Sequence, residues 1–286
     1  MPGTLTLVGT PIGNLSDLSP RALEALEACD FIAAEDTRVT LRLLTHFGIK
    51  KPLVSYFEHN RRERGEQICA RLLAGEAAVL VTDAGMPAVS DPGQDLVALC
   101  HERQIPVSCV PGPTAALTAL ALSGLPTGRF TFEGFLSVNR RTRREHLADL
   151  AEERRTMIFY EAPHKLLATL TDLLAAFGDR RIVLARELTK LHEEIFPTTL
   201  AAAVERYAAE SPRGEFVLIL EGASPPEPET PDEETAVAMA LRLMEEDGLA
   251  PSDAARQAAA RTGLKKGDIY RRLTRKPDSN QEEERL

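Results

Sequence analysis

Three loops of the chain combine proline and glycine directly after short apolar runs. They are Gly9-Thr10-Pro11-Ile12-Gly13-Asn14 after Leu5–Val8, Asp83-Ala84-Gly85-Met86-Pro87 running on to Ser90-Asp91-Pro92-Gly93 after residues 79–82, and Pro111-Gly112-Pro113-Thr114-Ala115 after Val107–Val110. Such loops suit a ligand held close to the main chain, because glycine removes the Cβ and proline fixes φ while removing a donor. A fourth segment, Glu35-Asp36-Thr37-Arg38, sets two acids beside an arginine. One acid could orient or deprotonate a hydroxyl while Arg38 holds a phosphate. The same residues also fit a plainer role, with Asp36 capping a helix that begins at Thr37 and Arg38 on the surface. His59-Asn60, Glu161 to His164, and Arg186-Glu187 with Lys190 are further polar candidates, although Glu187 and Lys190 would be an ordinary pair if their stretch were helical. Gly9-x-x-x-Gly13 is not the three-glycine dinucleotide fingerprint and no Gly-Lys-Ser/Thr loop occurs, which disfavours nicotinamide enzymes and P-loop NTPases.

These loops form one site only if the fold gathers them. The first half alternates strand-like and helix-like stretches, the pattern of a parallel sheet covered by helices. Strands are predicted at residues 4–8, Phe31–Ala34, 52–55, 77–82 and Val107–Val110, which brings the loops to the carboxyl edge where open α/β sheets bind small molecules. Ser19-Pro20 opens a helix, Arg61–Leu73 forms another closed by Gly75, and a small-residue helix runs from Pro113 to Leu122. The Gly/Pro-rich stretch 123–128 marks a domain boundary. Beyond it come the aromatic run Phe130, Phe132 and Phe135, a charged helix near 140–153, strands at 156–160, Arg181–Arg186 and 215–221, and helices at 164–177 and 199–207. This reads as a second, mixed α/β domain. Residues 223–232, rich in proline and glutamate, read as an extended linker. Three short helices at 236–244, 252–261 (with Ser252 as cap) and 265–273 then follow with helix-turn-helix-like spacing. The predicted organisation is thus two α/β domains, 1–124 and 125–222, a linker 223–232, a helical module 233–276 and a disordered tail 277–286.

At 286 residues and 43% apolar composition the chain is long enough for two cores. No apolar run approaches the roughly 20 residues that span a bilayer, and the N-terminus shows no signal-peptide order, so a cytoplasmic location is expected. Cys29, Cys69, Cys100 and Cys109 lack Cys-x-x-Cys or Cys/His spacing and read as reduced core residues, and no metal is expected. The net charge of −9 runs against nucleic-acid binding. Its distribution does not. Arg61, Arg62 and Arg64 form one basic cluster, and Arg140, Arg141, Arg143 and Arg144 a second. In the third, Arg256, Arg261, Lys265, Lys266, Arg271, Arg272, Arg275 and Lys276 face a single acid, Asp268.

The ordered motifs Val8 to Leu18, Ala34 to Arg38, the Asp83 and Pro111-Gly112-Pro113 loops, Phe132-Glu-Gly-Phe-Leu136, Tyr160-Glu-Ala-Pro-His164, Ala185 to Lys190 and Gly214-Glu-Phe-Val217 cover nearly the whole chain. In them the chain resembles the bacterial 16S ribosomal RNA (cytidine-2′-O)-methyltransferases, of the tetrapyrrole-methylase-like, class III group that uses S-adenosyl-L-methionine. One departure is Ser137-Val138-Asn139, where that family usually carries a proline and a lysine; Arg140 to Arg144 keep the segment basic. The resemblance implies two α/β domains with the cofactor in the cleft between them, a homodimer, and 16S rRNA or the small ribosomal subunit as substrate. Resemblance and loop chemistry together assign Thr10, Pro11, Gly13, Asp83, Ala84, Gly85, Met86, Pro87, Ser90, Pro111, Gly112, Thr114 and Ala115 to the donor. Asp83 would accept from its amino group and Met86 would pack on its apolar parts, with Tyr160, Ala162, Leu188 and Gly214 closing over the adenine. Glu35, Asp36 and Arg38 are expected on the acceptor side, with Glu187 and Lys190 as further catalytic candidates. Arg61, Arg62, Arg140, Arg141, Lys265, Lys266, Arg271 and Arg272 would contact RNA. Two other readings stand beside this one: a tetrapyrrole methylase of the same fold, which leaves the basic module unexplained, and a nucleic-acid-binding regulator that senses a small molecule.

Overall fold

Residues 1–224 and 232–275 are described by the structure, a computed structural model, which divides into two units, Met1–Ala223 and Ser224–Leu286. The first unit opens with strands β1 (Leu5–Val8), β2 (Phe31–Ala34), β3 (Leu53–Ser55), β4 (Ala78–Val81) and β5 (Val107–Val110). They pair in the order β3-β2-β4-β1-β5, all parallel. β2 and β4 are buried at every position, as strands covered on both faces must be. Helices α1 (Pro20–Ala28) and α2 (Thr37–His46) cover one face through Ala22, Leu26 and Leu44 against Val8, Ile32 and Val81. Helices α3 (Arg61–Leu73) and α4 (Gln94–Glu102) cover the other through Ile68, Leu72 and Leu96 against Leu5, Phe31 and Leu80. Helix α4, absent from the sequence reading, starts at Gly93 without a side-chain cap, so it carried no start signal.

Strand order decides where the site lies. β2, β4, β1 and β5 are consecutive in the sheet, so Glu35-Asp36, the Asp83 loop, the Gly9 loop and the Pro111 loop follow one another along its carboxyl edge.

Helix α5 (Ala115–Ser123) follows the Pro111 loop, yet packs on the second sheet, where Ala116, Ala119 and Leu120 meet Ile158, Val183, Val217 and Ile219. That sheet consists of β6 (Phe130–Phe135), β7 (Thr156–Glu161), β8 (Arg181–Arg186), β9 (Glu194–Thr199) and β10 (Phe216–Leu220), in the order β6-β7-β10-β8-β9. Only β6 and β7 run parallel; the sheet is mixed, as expected. Its other face is covered by α6 (Arg140–Asp149), α7 (Leu166–Phe177) and α8 (Leu200–Ala209), through residues such as Leu147, Leu170 and Leu200. β9 was not read from the sequence because Pro197 interrupts it; it survives as an edge strand, where proline is tolerated.

In the second unit, α9 (Glu233–Glu246), α10 (Pro251–Thr262) and α11 (Lys266–Thr274) close on an alanine-rich core of Ala236, Ala240, Ala254, Ala255 and Ala258 with Leu243 and Ile269. Two sequence readings need correction. Ala250 is the N-cap of α10, with Pro251 at its first position, and Ser252 lies inside the first turn, where its hydroxyl meets Lys266 Nζ at 3.0 Å. Cys109 is exposed, because β5 is an edge strand with β1 as its partner. Most of the expected linker, Lys276 and the expected tail lie outside the described residues. Among the described residues, no helix is long and apolar enough to cross a membrane.

Candidate active site

The loops do meet. Thr10 and Gly85 exchange main-chain hydrogen bonds of 2.9 and 3.0 Å, and the buried Thr10 hydroxyl donates to the Thr82 carbonyl at 3.2 Å. The Gly112 amide donates to Met86 Sδ at 3.2 Å, and a Cβ on Gly112 would lie 2.8 Å from Gly9 Cα. Glycine is therefore required here for loop-to-loop contact. The sequence reading had assigned that close approach to a ligand, and had assigned the Met86 thioether to the donor's apolar parts. In the same loop Ala88 and Ser90 hold φ values of 66° and 64°, the kind of backbone strain that collects at functional sites.

The second sheet closes the space from the other side. A Cβ on Gly13 would come within 2.5 Å of Lys190 Cγ and 2.8 Å of the Leu188 carbonyl oxygen. The segment after β8 is not helical, and Glu187 and Thr189 sit at φ 50° and 64°. Glu187 Oε1 accepts from the Glu215 amide and from Lys190 Nζ, each at 2.9 Å, and Lys190 also reaches Glu215 Oε2 at 2.9 Å. Burial works against the Lys190 charge, but the two carboxylates outweigh it and hold the ammonium above the usual lysine value. That state suits positioning better than proton transfer. The Tyr160 hydroxyl accepts from the Ala116 amide at 3.1 Å, and Leu188 is buried under α5. Both thus fix the joint between the sheets. Ala162 and Gly214 (φ 83°) lie at the end of β7 and ahead of β10, with the Glu187 side chain against Gly214.

Between these walls lies a cavity of about 480 Å³ lined by Ile12, Asp17, Pro111, Gly112, Pro113, Thr118 and Thr189, in the range of ligand pockets. Thr189 Oγ1, packed beside Gly13, is buried without a hydrogen-bond partner. An orphaned hydroxyl beside main-chain loops fits a ligand with both an apolar body and polar atoms, as a nucleoside sulfonium has. Ile12, Asp17, Pro113, Thr118 and Thr189 were not among the sequence candidates. All but Thr118 lie in motifs already singled out, and Thr118 carried no signal beyond its helix.

A smaller hollow of about 240 Å³ lies on the α2 side, lined in part by Thr10, Pro11, Val39, Thr40, Thr82 and Asp83. Four acids gather near it. Asp36 caps α2, accepting from the Arg38 amide at 2.8 Å, and its other oxygen takes Arg38 Nη2 at 2.6 Å. These bonds hold its carboxyl far below the usual range, while Arg38 keeps 85% of its side chain exposed. Glu35 Oε2 accepts from the Thr82 hydroxyl at 2.6 Å, and Asp83 Oδ1 accepts from the Asp36 amide at 3.1 Å. Burial pushes Asp83 up; the Asp36 amide opposes the rise and the charges of Glu35 and Asp36 add to it. Asp91 is pushed up to about 6, by burial first and then by Glu35 and Asp83, against the pull of Thr82. The sequence reading placed Asp91 in a ligand-type loop but gave it no role, since its burial and the nearby Glu35, which follows β2, come from chain distant in sequence.

The basic residues divide by position. Arg61 and Arg62 begin α3, Arg61 paired with Asp95 at 3.0 Å. Arg140, Arg141 and Arg144 are exposed on α6, but Arg143 turns inward to Asp172 (2.6 Å) and Thr169 (2.8 Å). Lys265, Lys266, Arg271 and Arg272 are exposed on the second unit, with Arg271 and Arg272 each 3.6 Å from an acid, Asp268 and Glu233.

A parallel sheet feeding a cleft against a mixed sheet, with the loops of the first at the opening, is the architecture of a known class of methyltransferases. Residues 4–204 match the family model of the tetrapyrrole (corrin/porphyrin) methylases, and the chain belongs to that family. It is 50% identical over 269 residues to the ribosomal RNA small subunit methyltransferase I of Synechocystis sp., covering 94% of this chain and 96% of that protein. Identity to the Pseudomonas aeruginosa protein of the same name is 46% over 273 residues, or 94% and 95% of the two chains. The Thermotoga maritima protein of that name is 46% identical over 220 residues, 77% of this chain but 99% of its own. Among solved structures, diphthine synthase shares the fold at TM-score 0.59 and 16% identity, covering 77% of this chain and 90% of that one. So does the Thermus thermophilus uroporphyrin-III C-methyltransferase complexed with S-adenosyl homocysteine, at 0.54 and 21%, covering 77% and 97%.

Proposed function

We propose that the chain transfers a methyl group from S-adenosylmethionine to the 2′-hydroxyl of a cytidine ribose in 16S rRNA. The observation that carries the chemistry is the open hollow of about 480 Å³ bordered by the Gly9 and Pro111 loops and the segment after β8, with the orphaned Thr189 hydroxyl beside it. Identity of 44–50% to proteins named for small-subunit ribosomal RNA, over 94% of the chain, supports the substrate over a tetrapyrrole. S-adenosylmethionine supplies an electrophilic methyl group. The protein's own work is to hold its donor and align the acceptor oxygen, and alignment carries much of the rate. Of the expected donor residues, Pro111 and Gly112 line the larger hollow beside Thr189 and Thr10, Pro11 and Asp83 line the smaller one; Gly13, the run Ala84 to Pro87, Ser90, Thr114 and Ala115 complete the loops assigned to the donor. On the acceptor side Glu35 and Asp91 are the acids suited to take the ribose proton, and the exposed Arg38 guanidinium suits a phosphate. The enzyme works as a cytoplasmic homodimer; exposed Leu117 and Leu122 on α5 support a partner surface there.

Tritiated S-adenosylmethionine, offered with free 16S rRNA, assembled small subunits or a porphyrinoid, tests the reading. Label is expected in an RNA substrate and, after nuclease digestion, in 2′-O-methylcytidine. Label in the porphyrinoid alone would overturn it.

A further inference from the structure

Phe135 ends β6 with 60% of its surface exposed, three residues before Val138, which is 79% exposed. Its placement is built into the strand. A bulge between Phe132 and Gly134, with Gly134 at φ 61°, puts both Phe132 and Phe135 against Tyr160, at ring distances of 5.1 and 5.5 Å and interplanar angles of 73° and 64°. Tyr160 is in turn fixed to α5 through the Ala116 amide. On its other side the bulge meets the strained loop that carries Asp91, since a Cβ on Gly134 would stand 3.2 Å from Ser90 Oγ. A few residues further on, Asn139 caps α6, accepting from the Arg141 and Thr142 amides at 2.9 and 3.2 Å, and Arg140 and Arg144 point to solvent. The combination is a rigidly backed, open aromatic ring at the end of a strand whose bulge meets the Asp91 loop, shortly ahead of a cationic helix.

We propose that Phe135 is a stacking platform for a pyrimidine base of the RNA strand that enters the cleft, with Arg140 and Arg144 holding the phosphates beside it. This rests on the RNA reading above. A ribose drawn into a cleft leaves the helical stack, and its base, or its neighbour's, then needs a new face to lie on; exposed aromatic rings beside arginines supply one. A second copy of the chain is the poorer occupant, because a two-fold contact through this patch would set two arginine-rich α6 helices against each other.

The chain contains no tryptophan, so Phe135→Trp installs a single fluorophore that still stacks. A cytidine hexanucleotide should quench it, and an abasic hexamer with the same phosphates should not. Phe135→Ala should raise the KM for rRNA by about 5- to 150-fold, the span of measured base–aromatic contacts, with donor affinity by calorimetry unchanged and Phe135→Trp restoring the KM. Equal quenching by both hexamers, or a wild-type KM in Phe135→Ala, would overturn the platform. So would an Ala variant whose sedimentation shifts to monomer while its KM stays wild-type, which would make Phe135 a subunit contact. If the wild-type enzyme labels rRNA in neither form, the substrate reading fails and takes this site with it.

Discussion

Asp91 and Glu35 share a neighbour in the Thr82 hydroxyl. Asp91, held at about 6, is the group tuned to neutral pH, so methyl transfer at low rRNA concentration should rise with pH through that value, and Asp91→Asn should abolish this limb. Its effect on stability has a definite sign. An acid whose folded-state value is raised stabilises the fold while protonated; the contribution is complete below about pH 4, near the unfolded value, and is lost as pH rises through 6. Asp91→Asn should therefore raise Tm at neutral pH and leave it unchanged below about pH 4. Thr189 tests the other side of the cleft. Thr189→Val keeps the shape and removes the orphaned hydroxyl, so the free protein should be no less stable while calorimetry shows donor affinity weakened by about 2- to 10-fold, the worth of one net hydrogen bond. Such residues explain what the sequence could and could not tell. Asp36, Arg38 and the loops were legible because cap, turn and strand-end chemistry is local. Asp91 and Thr189 were not, since burial and a missing partner are set by chain distant in sequence.

At the level of elements, strand positions and the mixed character of the second sheet could be read from apolar runs and turn residues. What the runs did not reveal was that α5, connected to the first sheet, is buried on the second. Its sequence, Ala-Ala-Leu-Thr-Ala-Leu-Ala-Leu-Ser, is apolar on nearly every side, and periodicity cannot assign a face to such a helix. The hydrogen bond from the Ala116 amide to the Tyr160 hydroxyl, at 3.1 Å, therefore links the Pro111 loop, proposed to hold the donor, to the second sheet. Tyr160→Phe should cost about 1 kcal/mol in urea unfolding, typical of one hydrogen bond, and should also weaken donor binding, because Thr114 and Ala115 begin the helix that Tyr160 holds. Loss of stability with unchanged donor affinity would confine Tyr160 to packing.

For the whole molecule, the unit boundary after Ala223 is where a division of work can be tested. Both sheets and both hollows belong to Met1–Ala223, and the Thermotoga maritima relative is accounted for over 99% of its length by a 220-residue match. A chain ending at Ala223 should thus fold, bind S-adenosylmethionine with unchanged affinity and approach the full-length kcat at saturating rRNA. Its KM should rise, because Lys265, Lys266, Arg271 and Arg272 are lost, with Arg61, Arg62, Arg140 and Arg141 left to hold phosphate. Salt separates this from a fold defect. Each phosphate contact removed should flatten the dependence of log affinity on log salt by about 0.7–0.9, so the shortened chain should bind rRNA more weakly at low salt and converge on the full-length protein as salt rises. Equal slopes and equal KM would leave the helical unit without a part in RNA binding, and a kcat that falls with KM unchanged would place it in the chemical step.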